Sequence, residues 1–168
     1  MESAAPLDLT KAITTITTFR ELGVLPEICD ALERAGITEP FPIQQMTLSV
    51  ALIGTDLIGQ ARTGTGKTLA FGIPVLQRSI APHDPDYSEI PQGKPQALIV
   101  APTRELALQV SGDLALASAD RGLRVLTVYG GVGYDTQLDT LASGVDIVVG
   151  TPGRLIDLAN RRSLDLSH

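Results

Sequence analysis

Ala61-Arg62-Thr63-Gly64-Thr65-Gly66-Lys67-Thr68 is the stretch that decides the fold. Gly64 and Gly66 let the backbone curl without side-chain clashes, so that successive N–H groups can face phosphate oxygens. A helix starting near Lys67 would aim its positive end at the same point. Lys67 is then the mobile cation for the outer phosphates of a nucleoside triphosphate, and the Thr68 hydroxyl a magnesium ligand; these two are the candidate catalytic residues. The full phosphate-loop pattern has Gly where this chain has the equally compact Ala61. A Gly-rich turn needs no ligand, but the flanks favour one. Asp56-Leu57-Ile58-Gly59 suits a buried strand, and Leu69 to Ile80 suits a helix that Gly72 and Pro74 would strain or kink. A dinucleotide-binding turn is the rival, and it lacks its third glycine twice: Leu69 stands there after Gly64-Thr65-Gly66, and Thr136 after Gly131-Val132-Gly133.

The 168 residues suffice for one globular domain with a sizeable core. With 43% apolar and 19% charged residues, the composition fits a folded α/β domain rather than a disordered tail. No apolar run approaches the roughly 20 residues of a membrane span, and the Thr-rich start lacks a signal-peptide core, so a cytoplasmic location is expected. Cys29 stands alone, which excludes a disulfide framework and a cysteine metal cluster, and it reads as a small core residue. His83 and His168 are isolated and expected in solvent. Nineteen acidic against thirteen basic side chains give a net charge of −6, against a broad nucleic-acid footprint. Arg154, Arg161 and Arg162 still fall close together, and charge alone leaves a local site and a solvated helix end equally open.

Residues 1–18 show little periodicity and are expected to form a flexible leader, with one domain over 19–168. A helix over 24–35 has Pro26 in its first turn, Leu25, Ile28 and Leu32 on one face, and Gly36 as its stop. A second opens at Pro42, with Ile43, Met46, Val50 and Ile53 as the expected buried stripe and Gly54 as its end. Residues 81–96 read as an exposed loop in which Asp84, Asp86 and Glu89 are solubilising charges. Residues 97–101, 124–129 and 145–149 are short and β-branched, and helical stretches separate them. That pattern predicts an α/β fold, a mostly parallel sheet with helices on both faces. The helix between the first two strands should bury Leu106, Val110, Leu114 and Ala117.

Three turns follow these strands, at the sheet edge where open parallel sheets bind ligands. They are Pro102-Thr103-Arg104-Glu105-Leu106-Ala107, Gly130-Gly131 and Thr151-Pro152-Gly153-Arg154. With the phosphate loop, and in this order and spacing, they make the chain from Phe19 onward resemble the first RecA-like domain of DEAD-box RNA helicases. Gly36-Ile37-Thr38-Glu39-Pro40-Phe41-Pro42-Ile43-Gln44, with Phe19 seventeen positions before Gly36, is similar to that family's adenine-reading Q motif. A glutamine amide can accept from N6 and donate to N7 of adenine, a pairing guanine cannot satisfy. Phe19 would pack on the base. Phe41 departs from the small hydroxyl residue usual there.

The resemblance implies a P-loop NTPase site for ATP and Mg2+, formed by Phe19, Gln44, Ala61, Arg62, Thr63, Gly64, Thr65, Gly66, Lys67 and Thr68. It assigns Pro102, Thr103, Arg104, Gly130, Gly131, Thr151, Gly153 and Arg154 to the backbone of one RNA strand, independent of sequence. Each turn alone could be a helix N-cap with no ligand.

Hydrolysis also needs an Asp on magnesium and a carboxylate to orient the attacking water. The family carries them as Asp-Glu-Ala-Asp on a later strand. These 168 residues lack that element, so the RecA-like fold is expected to be incomplete at its C-terminus and the fragment to turn over little ATP. Asp146 opens its strand and sits at the wrong end, and Glu105 belongs to the first RNA turn. A second RecA-like domain is the expected partner, and a monomer the expected state. Two alternatives stay open: another P-loop ATPase, such as a transport or recombination motor, and a non-enzymatic truncated ATP- or RNA-binding module.

Overall fold

Three short β-branched runs pair into one sheet: β1 (Ala97–Val100), β2 (Val125–Val128) and β3 (Ile147–Gly150). The structure is a computed structural model that describes residues 17–91 and 93–167. Both ladders are parallel, in the order β1-β3-β2. Val100, Gly150 and Val128 lie in one row across the sheet. All four residues of β3 are buried, as a central parallel strand covered on both faces requires.

The two-residue period of β3 divides the core. Ile147 and Val149 pack with Ile28, Leu32, Ile73, Leu76 and Leu114, whereas Val148 packs with Val128, Leu141, Leu155 and Leu158. The first layer comes from α1 (Pro26–Arg34), α3 (Lys67–Arg78) and α4 (Arg104–Ala117), with α2 (Pro42–Ala51) against α3. The second comes from α5 (Asp135–Ala142) and α6 (Pro152–Asn160). Helices therefore cover both faces, as the alternating pattern predicts. Cys29 lies in the first core, and its thiol, pushed up by burial, donates to the Val24 carbonyl at 3.5 Å.

α3 is placed by its two ends. Gln96, just before β1, accepts from the Ile80 N–H at 2.8 Å and donates to the Ile80 carbonyl at 2.9 Å. The C-terminus of α3 is thereby fixed beside the start of β1. Twelve helical residues span about 18 Å, so Lys67 lies toward the C-terminal end of the strands. Pro74 sits within the helix, which runs on through it, and the bare Gly72 leaves room for Leu114, whose Cδ2 would lie 2.9 Å from an added Cβ.

Several expectations need correction or relocation. Residues 56–59 form no strand; Leu57 and Ile58 are exposed, and the backbone there joins no ladder. A strand needs a neighbour, and among the described residues none lies alongside; Leu98 and Val100 on β1 are exposed as well. In α2 the buried pair is Gln44 and Leu48, while Met46 and Ile53 are 75% and 77% exposed. The helix stops at Ala51, so Ile53 has left its register. In α4 the buried ladder is Ala107, Val110, Leu114 and Ala117, one residue off the expected Leu106, which is exposed. The expected leader lies outside the described residues except for Thr17 and Thr18, and the Thr18 N–H donates to the Glu21 carboxylate at 2.7 Å. His168 also lies outside them, and His83 is exposed.

The loop of residues 81–96 contains a 3-10 turn at Pro85–Glu89. Asp86 and Glu89 are exposed, but Asp84 is half-buried and ties back the chain before the turn, its carboxylate accepting from the Ala81 N–H at 2.6 Å.

Gly150 carries the closest packing beside the turns. An added Cβ would lie 2.5 Å from Val128 Cγ2, 2.8 Å from the Val128 carbonyl and 2.9 Å from Leu155 Cδ2. Gly150→Ala should therefore destabilise the domain by about 1–3 kcal/mol, read as a lowered urea midpoint at unchanged m-value.

Candidate functional site

The parallel strands end in one row, so the turns that follow them share one edge. Thr151 extends the pairing by donating its N–H to the Val128 carbonyl at 3.0 Å, and Ala101 donates to the Gly150 carbonyl at 2.9 Å. Thr103 caps α4, its hydroxyl accepting from the Leu106 N–H at 3.2 Å. Pro102, Thr103 and Arg104 are exposed, and the Arg104 guanidinium lies over the Tyr129 ring at 4.6 Å. Gly130 and Gly131 are exposed, and Gly131 takes a left-handed φ of 83° that a side chain would strain. Pro152 opens α6 at its first position, where a missing N–H costs nothing, and Gly153 is exposed beside it. Arg154 differs from these: it is 7% exposed and donates from Nη2 to the Val132 carbonyl at 2.9 Å.

The phosphate loop stands at the N-terminus of α3, with Gly66 as its left-handed cap residue at φ 76°. No backbone N–H from Arg62 to Leu69 donates to a described acceptor, and the Thr68 hydroxyl has no partner there either. A row of free donors ending on a helix N-terminus fits an anion such as a polyphosphate. Lys67 lies inside the loop, its ammonium donating to the Ala61 and Arg62 carbonyls at 2.5 Å each. It must exchange these partners to reach a phosphate.

Gln44 is 1% exposed and ties the segment before α2 to this loop. Its Oε1 accepts from the Phe41 N–H at 2.8 Å and its Nε2 donates to the Gly66 carbonyl at 2.8 Å. An added Cβ on Gly66 would lie 2.5 Å from Gln44 Nε2 and 2.6 Å from Phe41 Cδ2, so this close approach also requires glycine. Phe19 is buried in the first core, next to α1 in the chain, and shows only 3% of its surface. A cleft of about 1040 Å3 touches the loop at Lys67 but runs down α3 past Val75, Arg78 and Ile80 to Ala97. Of residues 61–68 only Lys67 lines it, so this cleft is not the phosphate cradle.

The DEAD/DEAH box helicase family model matches residues 41–168, a span that holds the loop and all three turns. The chain belongs to that family. It is 46% identical over 153 residues to the DEAD-box ATP-dependent RNA helicase CshA of Geobacillus kaustophilus, covering 91% of this chain and 31% of that one. It is 47% identical over 158 residues to the ATP-dependent RNA helicase RhlB of Xanthomonas oryzae, covering 94% and 27%. The chain thus spans less than a third of the length of these relatives. A crystal structure of a DEAD box protein from Methanococcus jannaschii superposes with a TM-score of 0.77 at 33% identity, over 88% of this chain and 38% of that one. The parallel sheet between helical layers is the RecA-like fold of the DEAD/DEAH box family, and the transport or recombination motor reading falls with it.

In this DEAD/DEAH box chain one acidic candidate, Glu105, is exposed in the first turn of α4, and the other lies away from the turns. Asp146 is 2% exposed at the opposite end of β3, where its carboxylate accepts from the Arg124 N–H at 2.7 Å and the Tyr87 hydroxyl at 2.9 Å. Burial, then the Asp146 contact, pushes the Tyr87 phenol up. The pair is a structural tie. No group of three or more His, Cys, Asp and Glu suited to a metal occurs among the described residues, and no helix there is long and apolar enough to cross a membrane.

The sequence reading missed Tyr134, Asp157 and the placement of Arg161. Tyr134 lies between the guanidinium groups of Arg154 (4.0 Å to the ring centre) and Arg161 (4.4 Å), and its hydroxyl donates to Asp157. The signal was present in α6: positions 154, 157 and 161 have the three- and four-residue spacing of one helix face. Arg162, at a left-handed φ of 59°, leaves that face. The Tyr134 hydrogen bond first, then Arg161, holds the Asp157 carboxyl below the usual carboxylate range. A depressed folded value means that this contribution is full above the unfolded pKa of about 3.9 and is lost as pH falls through the folded value. Asp157→Asn should therefore be less stable than the parent at neutral pH, with the two thermal midpoints converging below about pH 4.

Proposed function

We propose that this chain is the ATP-binding and RNA-backbone-binding part of an ATP-dependent RNA helicase. The observation that carries the reading is the convergence on one sheet edge of the turns after β1, β2 and β3, beside a phosphate loop with unpaired donors. Lys67 would leave the Ala61 and Arg62 carbonyls for the outer phosphates, while the free N–H groups of residues 62–69 hold the remaining oxygens. Thr68 would ligate Mg2+, which neutralises the charge on the phosphates when bound. Gln44 would turn its amide from Gly66 and Phe41 to adenine, linking base recognition to the loop's own conformation.

For RNA, the exposed Thr103, Arg104, Gly130, Gly131 and Gly153 and the half-buried Thr151 offer hydroxyl, backbone and cationic contacts that suit sugar-phosphate and carry no base code. A net charge of −6 supports a local contact of this kind over a broad basic face. The reading includes a monomer in the cytoplasm and a second RecA-like domain that supplies the far wall of the nucleotide site. These 168 residues supply binding, and turnover needs the further acidic element and that wall.

Lys67→Ala should abolish binding of a fluorescent ATP analogue, and Gln44→Ala should bring ATP and GTP affinities together, both by equilibrium titration. A steady-state phosphate-release assay with RNA should show no appreciable turnover by the 168 residues. Robust turnover would overturn the division between binding and hydrolysis, and no binding of ATP or RNA by the parent chain would overturn the reading itself.

A further inference from the structure

The β2–α5 connection carries the glycines of the second turn and ends in Tyr134. We infer that Tyr134, stacked between Arg154 and Arg161 and held by Asp157, is a positioning residue that sets the Gly130–Gly133 turn for a nucleic-acid backbone, and that Arg154 acts through this turn without touching the strand. The inference rests on the RNA-backbone reading above and changes the role of one of its residues.

Burial separates the two arginines of the edge. Arg104 is exposed, with its guanidinium 4.6 Å from the Tyr129 ring centre, so a phosphate can reach it. Arg154 is 7% exposed, and a phosphate would have to displace protein to reach it. Its Nη2 spends a hydrogen bond on the Val132 carbonyl, inside the turn. Its Nη1 is buried with no partner among the described residues, so saturated hydrogen bonding does not hold this guanidinium in place. The stack on Tyr134 at 4.0 Å does, and a cation over a ring gains most where water is excluded.

Tyr134 is fixed in turn. Its hydroxyl donates to Asp157, which also accepts from Arg161 Nε at 3.0 Å, and Arg161 covers the ring at 4.4 Å. Arg154 and Asp157 of α6, with Arg161 at its C-cap, thus grip the residue that closes the turn. Between Gly130 and Gly133 the glycines have no side chains to define a conformation, and an added Cβ at Gly130, Gly131 or Gly133 would meet nothing within 4 Å. Nothing packs the turn from above, so the carbonyl of Val132 and the ring of Tyr134 are what orient its N–H groups.

The test is anisotropy titration of a labelled oligouridylate over a salt series, with the 168-residue chain and its Tyr134→Leu, Tyr134→Phe, Arg154→Met and Arg104→Ala variants. A fluorescent nucleotide titration and a thermal midpoint accompany each. Tyr134→Leu and Arg154→Met should each weaken RNA binding about tenfold, the scale of a partly desolvated cation–π contact, with nucleotide affinity unchanged. Tyr134→Phe keeps the ring and should stay within about twofold. Arg104→Ala should flatten the slope of log K against log salt by about 0.7, as loss of one phosphate contact on a single strand, whereas Arg154→Met should leave the slope as in the parent.

An Arg154→Met slope as flat as that of Arg104→Ala would overturn the inference, as would parent-like RNA affinity in Tyr134→Leu. Should Tyr134→Leu fail to fold, the Arg154→Met slope and the Tyr134→Phe affinity decide. A parent chain that binds no oligouridylate overturns the RNA reading itself, a result distinct from parent-like binding by the variants.

Discussion

The two parallel ladders on β3 are the constraint on which the rest of the molecule depends. Parallel strands need crossover connections, so each strand here is followed by a helix that begins where the strand ends. One consequence is that every strand-to-helix turn opens at the same edge. Helix N-termini, with their free N–H groups, gather there as well. A chain built this way presents an edge suited to anions before any particular side chain is considered, and Thr103, Gly131 and Thr151 stand on it. Gly150 shows how tight the constraint is: the strand row closes against Val128 and Leu155 with no room for a methyl group.

Buried polar side chains connect this edge to its surroundings. Gln44 links α2 to the phosphate loop, and Arg154 links α6 to the turn after β2. Each has lost water and must find protein partners in compensation. That need makes them sensitive joints. Gln44 and Lys67 both occupy carbonyls of the same loop, so a ligand that draws Lys67 outward also disturbs the loop on which Gln44 rests. The two side chains are thus coupled through shared partners over one turn of chain.

Much of the fold and the candidate site was legible in the sequence because it depends on local pattern. The three β-branched runs gave β1, β2 and β3 within two residues, and the motifs placed the turns at their ends. What was not legible depends on neighbours. Residues 56–59 have the composition of a buried strand, yet pairing is a property of two segments, and Ile58 stays in solvent. In α2 the apolar stripe pointed to Met46, but the face that packs is chosen by Gln44, whose amide finds two backbone partners and so can be buried at no net loss. Hydrophobic periodicity ranks side chains by their dislike of water and cannot see a polar group that will be satisfied. Tyr134 was missed for a related reason: its partners lie twenty or more positions away, and only the spacing along α6 and its C-cap hints at them.

The contrast between Arg104 and Arg154 carries that point into function. Both follow a proline-containing turn at a strand end, and both lie against a tyrosine of the β2–α5 region. Sequence treats them alike. Their exposure does not, since one guanidinium faces solvent and the other is enclosed beneath the turn it supports. A charge that is desolvated without a counter-charge on its outer side is poorly placed to bind a phosphate and well placed to fix the geometry around it, because the cost of moving it is high. An edge that recognises a backbone without reading bases needs both kinds of arginine: one that can meet phosphates, and one that keeps the flexible glycine turn from relaxing away from them.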